Sequence, residues 1–135
     1  MKSRVPPLVP AALLALAALL AAGCAATPKY DPDDCPTFSD LDAVRVNPAG
    51  ALERHLRLEA SFRVCPPEEG LAEIRRKRIE LKHELIALLS AKTEAELSAP
   101  LRVENLRREI NAMVNERVLK RSRVVEVYIT ELELE

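Results

Sequence analysis

The side chains able to do chemistry in this chain are two histidines, three cysteines and a spread of carboxylates, and their spacing denies most of what they could do. His83-Glu84 opens as a zinc-protease helix does, but the second histidine needed on that face would fall at Ala87. His55 stands alone in a strand-like stretch. No serine occupies the Gly-x-Ser-x-Gly turn that exposes a nucleophile, and the carboxylates are scattered rather than paired. Cys35 and Cys65 lack the CxxC spacing of a redox pair. Three glycines cannot supply both a phosphate cradle and the turns of a fold. Two Phe, two Tyr and no Trp give no stacking platform for single-stranded nucleic acid, and a net charge of −1 gives no field for a phosphate backbone. The expectation is a non-enzymatic protein with no catalytic residue, metal, cofactor, small-molecule substrate or nucleic-acid partner.

Chemistry of another kind is written at the N-terminus. Lys2 and Arg4 precede an apolar run from Ala11 to Ala22, then Gly23-Cys24. Such a run rises about 18 Å as a helix, too short for a hydrocarbon core of about 30 Å, and reads as a secretory signal. Leu20-Ala21-Ala22-Gly23-Cys24 resembles the lipobox of bacterial lipoproteins, in which the thiol is acylated and the chain is cut before the cysteine. Residues 1–23 are therefore expected to be a signal peptide, with Cys24 the lipidation site that holds the chain to a bilayer facing the periplasm. Ala25, the residue after it, leans towards the outer membrane.

With Cys24 acylated, Cys35 and Cys65 remain as an even pair in an oxidising compartment. They are equidistant from Gly50, so an antiparallel hairpin centred there sets them opposite each other at its open end. The expected disulfide closes a loop on the order of 30 residues, for which chain entropy gives roughly 3–4 kcal/mol.

The elements that must position these residues follow from periodicity. Residues 24–40, rich in Pro and Asp, read as the lipidated cysteine and a tether, and 41–135 as one domain. Leu41–Val46 is a weak strand ended by Asn47-Pro48-Ala49-Gly50. Leu56, Leu58, Ala60, Phe62 and Val64 alternate with polar residues, a strand with one wet face. Pro66-Pro67 stops it, and Pro67-Glu68-Glu69 opens a helix whose apolar stripe continues to about Ser90, interrupted at Arg78. Thr93 and Glu96 have capping-box form, and Ser98 is placed to cap a further helix striped by Val103, Leu106, Ile110, Met113, Val114 and Val118. The terminal strand, Val124–Leu134, has mixed faces. Either both are partly covered, or a bulge near Thr130 switches the register. The expected fold is α+β: a small three-stranded antiparallel sheet packed by two helices, in the order β-β-α-α-β.

Two basic runs remain, Arg75-Arg76-Lys77-Arg78 with Lys82, and Lys120-Arg121-Ser122-Arg123. Either both are solvated surface, or the first is an interaction surface for an acidic partner or lipid head groups. The acidic finish Glu126, Glu131, Glu133, Glu135 suits head-to-tail contact between copies of the chain.

Three blocks carry a family resemblance. Leu85–Pro100 (LIALLSAKTEAELSAP) resembles the "ILSSKT…EELSTP" run of the FliL family of flagellar basal-body proteins. Leu106-Arg107-Arg108-Glu109-Ile110-Asn111 is similar to that family's "LREEI" helix, and Val127-Tyr128-Ile129-Thr130-Glu131-Leu132 to its closing "VYFTEF" strand. The resemblance covers about Val44 to Glu135. It implies a stomatin/prohibitin-like α/β domain that self-associates around the flagellar stator and supports torque, at the inner membrane. The chain departs from the family pattern in three places. A signal and lipobox replace a transmembrane helix, Leu101-Arg102-Val103 replaces Glu-Gly-Lys, and no glycine precedes the last strand. The resemblance thus implies an accessory of the flagellar motor in lipoprotein form, a homo-oligomer in contact with stator proteins. The alternative is an envelope structural or assembly lipoprotein that reuses the domain outside the flagellum.

Overall fold

Alternation over Leu56–Cys65 makes β3 the centre of the sheet: its inward residues Leu56, Leu58, Phe62 and Val64 are almost wholly buried. The computed structural model describes residues 29–135. The expected signal peptide 1–23 and Cys24 lie outside the described residues.

Two short strands, β1 (Thr37–Phe38) and β2 (Val44–Val46), pair antiparallel with opposite halves of β3. Because β4 (Arg123–Leu134) runs antiparallel along the whole of the other edge, β1 and β2 lie end to end on one side. The sheet thus begins before Leu41, the expected domain boundary, and has four strands rather than three. Pro and Asp on either side hide β1 from a composition reading, but Phe38 is buried in the core and Thr37 pairs with Arg63. Carried outward, this register sets Cys35 against Cys65. A disulfide joins them with Cα atoms 5.2 Å apart, inside the normal range. The hairpin turns at Gly50, the one described glycine with positive φ (76°). Asn47 braces the loop by donating to the carbonyls of Leu52 and Arg54 at 3.0 and 2.8 Å.

Two bulges settle the mixed faces of β4. Pairing runs Leu56–Leu134, Leu58–Leu132, then Ala60–Ile129, Phe62–Val127, then Val64–Val124, so Thr130 and Val125 are the extra residues. Each bulge restores the alternation, so Val124, Val127, Ile129, Leu132 and Leu134 face the helices while Val125 and Tyr128 face out.

The expected helix from Pro67 to Ser90 is broken at Lys77 into α1 (Pro67–Arg76) and α2 (Arg78–Ser90). Gly70 lets α1 start hard against β3, since a Cβ there would come within 3.2 Å of the Cys65 backbone. The short α3 (Glu94–Ser98) begins with the Thr93–Glu96 capping box. Ser98 ends that helix instead of capping the next. The following helix, α4 (Arg102–Met113), starts with no side-chain cap and runs on as a π-helical turn, Val114–Val118. Leu81, Leu85, Leu89, Leu106, Ile110 and Val114 bury against the sheet, whereas Val103, expected in the stripe, is 41% exposed. Four helices, not two, form the second layer of the α+β fold. No described helix is long and apolar enough to cross a membrane.

Candidate interaction surfaces

The two histidines, for which the sequence offers no catalytic or metal-binding partner, stay apart in the fold. His83 is exposed on α2, and His55 sits in the hairpin loop with its Nδ1 3.2 Å from Asn47 Nδ2. Among the described residues no three His, Cys, Asp or Glu side chains converge on a metal-sized site. What the fold builds instead are charged surfaces and a sheet edge.

The two basic runs are tied together by a residue that sequence reasoning missed. Glu73 of α1 is 3% exposed, and its carboxylate accepts the N–H of Lys120 at 2.8 Å and that of Arg121 at 3.1 Å. Burial by itself would raise this carboxyl. The Lys120 N–H, the adjacent Ser122 and the Arg121 N–H outweigh it and hold the group below the usual carboxylate range. The buried Ser122 hydroxyl lies beside the carboxylate without a hydrogen bond of ordinary geometry. The sequence signal for Glu73 is its place on the inward stripe of α1 with Gly70 and Ile74. Around this lock, Arg75 approaches Asp40 (3.9 Å), Lys77 pairs with Glu80 (3.1 Å) and Lys82 approaches Asp42 (3.9 Å). Arg76, Arg78, Lys120, Arg121 and Arg123 make no ion pair among the described residues. Arg123 is also the register partner of Cys65, so the disulfide and the second basic run share one end of the sheet.

The acidic finish is divided by the fold. Glu126 is paired with Arg107 of α4, and Glu131 with Arg57 on the outer sheet face, beside Glu59. Glu133 and Glu135 have no ion pair among the described residues. Loss of solvent and then the neighbouring carboxylates Glu59 and Glu133 push the Glu131 carboxyl above the usual range, against the pull of Arg57.

β4 is an edge strand, and its two halves differ. The Asn115 side chain accepts from Val124 N–H at 2.8 Å and donates to Val124 C=O at 2.9 Å, as a neighbouring strand would. Asn111 donates to the same carbonyl and Arg107 Nε to Val127 C=O at 3.0 Å, so α4 and the π-helical turn cover the first half. In the second half His55 and Glu135 exchange both backbone hydrogen bonds at 2.9 Å. By alternation the N–H and C=O of Ile129 and Leu132 therefore point away from β3. They receive no hydrogen bond from another element among the described residues, whereas the C=O of Leu134, which points the same way, accepts from Arg54 Nη2 at 3.3 Å. A groove of about 330 Å³ adjoins this half, lined by Leu56, Leu97, Leu132 and Leu134 together with Arg54, Ser98 and Arg102.

Residues 38–133 match the family model described as flagellar basal body-associated protein FliL. No curated protein matches the chain.

Proposed function

Since this chain belongs to the FliL family of flagellar basal body-associated proteins, we propose that it is a non-enzymatic accessory of the flagellar motor. On this reading it is held at the periplasmic face of a membrane by acyl groups on Cys24 and works by self-association and by contact with stator components. The observation that carries the reading is the match over residues 38–133, which takes in every strand and helix from Phe38 almost to the end of β4. The lipobox-like run before Cys24 supports the anchor, and the unpaired cations around Glu73 support a role in contact.

One set of strains tests it. Deleting the protein should leave flagella assembled and swimming impaired, and a tagged copy should gather at flagellar bases. Cys24→Ser should move the chain from the detergent phase to the aqueous phase and disperse the tag. Normal swimming together with a dispersed wild-type tag would instead favour the envelope role outside the flagellum. An unmodified Cys24 in the mass of the mature chain would remove the anchor alone.

A further inference from the structure

We infer that the open half of the β4 edge, Ile129–Leu134, is a strand-addition site. Its occupant is an extended segment of another protein in which apolar side chains alternate with lysine or arginine. The inference rests on the reading that this domain acts by contact rather than by catalysis, and it names where one such contact is made and by what chemistry.

Backbone geometry supplies the first argument. An unpaired strand edge is a template for another chain, and folded domains usually cover it or blunt it. Here α4 covers the edge only as far as Val127, with side-chain amides and an arginine standing in for a strand. Beyond that point the donors and acceptors of Ile129 and Leu132 face solvent.

Side-chain alternation sets what fits. A strand laid beside Ile129–Leu134 turns every second side chain inward, over Ile129 and over the groove at Leu132 and Leu134, all three only half-buried although their β3 partners are buried. Those positions take apolar residues. Arg54 beside the groove is already neutralised by Glu94 and Arg102 is exposed to solvent, so neither calls for an inward acid there. The intervening side chains emerge on the outer face beside Glu131, Glu133 and Glu135. Arg57 is already shared by Glu131 and Glu59, and Glu133 and Glu135 have no ion pair among the described residues. A lysine or arginine opposite that row relieves the crowding.

The same charges exclude a second copy of this chain. Antiparallel pairing of two β4 edges would set glutamates against glutamates. The strands of the other edge, β1 and β2, are two and three residues long and match half of the open edge at most.

The test uses the full-length chain purified from membranes in a neutral detergent. The probe is a fluorescent seven-residue peptide alternating valine and lysine, followed by anisotropy. Saturable binding is expected, at least about tenfold tighter than for a valine–glutamate peptide or for the same peptide N-methylated on the edge-facing amides. Glu133→Lys with Glu135→Lys should weaken it about tenfold, in line with cross-strand charge pairs. Leu132→Pro removes an N–H that β3 does not use and should abolish binding with the circular dichroism spectrum unchanged. If that variant does not fold, the N-methylated peptide interrogates the same bonds on the unaltered protein. Equal binding of the N-methylated or the glutamate peptide would overturn the site, as would a dimer of the chain that Leu132→Pro dissolves. Peptide binding absent while the tagged chain still gathers at flagellar bases rejects the edge site and leaves the motor role standing. Binding present with a dispersed tag supports the site and rejects that role.

Discussion

Glu73 shows how much one side chain can hold at the residue scale. Its carboxylate joins α1 to the loop before β4, and hydrogen bonds to a charged acceptor are worth roughly 1.5–3 kcal/mol. Glu73→Gln keeps the shape but gives up the charge, and should lower unfolding stability by about that amount at neutral pH. The pH dependence has a definite sign. A carboxyl held below its ordinary value of 4.5 in the fold contributes its full stability above that value and loses it as pH falls through the lower folded value. Denaturant titrations should therefore show an acid limb below about pH 4.5 that is shallower in Glu73→Gln. An equal acid limb in both proteins would mean that other carboxylates, such as Glu96 under its Thr93 cap, carry it.

At the scale of elements, β1 is the strand most dependent on a covalent tie. It has two register pairs with β3, the Val64 N–H to Pro36 C=O bond and the disulfide at its end. Breaking the disulfide frees a loop on the order of 30 residues, worth up to roughly 3–4 kcal/mol in the chain-entropy model. In Cys35→Ser with Cys65→Ser, hydrogen exchange should show protection lost at Thr37–Phe38 and kept along β3 and β4, whose pairing runs from Leu56 to Cys65. Unchanged protection of β1 would show that Phe38 burial alone suffices. Two free thiols in protein released from intact periplasm would remove the bridge from the working protein.

The whole molecule is polarised. Arg76, Arg78, Lys120, Arg121 and Arg123 stand without ion pairs around α1 and the loop before β4, and Glu133 and Glu135 stand without them at the opposite end of β4. Opposite charges on separate faces favour heterologous contact, which closes into rings or runs into filaments. Exposed pairs contribute only about 0–1 kcal/mol each, so they select orientation more than they supply affinity. Weak oligomers of the chain are expected, tightening when anchoring to a bilayer raises the effective concentration. Reversing Arg75, Arg76 and Arg78 to Glu should remove them and leave the monomer folded, because all three lie on exposed helix surface. Sedimentation that shows only monomer at high concentration, with no crosslinked ladder on cells, would reject self-association.

Period-two and helical spacing by themselves determined β3, the inward stripes of α2 and α4 and the α+β class, because each follows from which side chains must leave water. The capping box at Thr93 followed from local hydrogen bonding to a helix's free N–H groups. Spacing about Gly50 pointed to Cys35 opposite Cys65, but the tertiary structure decides it: the β2–β3 register counted outward would set Cys35 against Pro67, and the offset register of β1 brings it to Cys65. Position alone could not decide the faces of β4: the bulges at Thr130 and Val125 exist only because β3 dictates the pairing. Nor could it find β1, two residues among Pro and Asp that become a strand when β3 offers an edge. The break at Lys77, the exposure of Val103 and the burial of Glu73 also depend on what each helix packs against. The open half of β4 is the clearest case. Pairing with β3 says which of the strand's side chains point inward, and only the placement of α4 decides where its edge is covered and where it stays open.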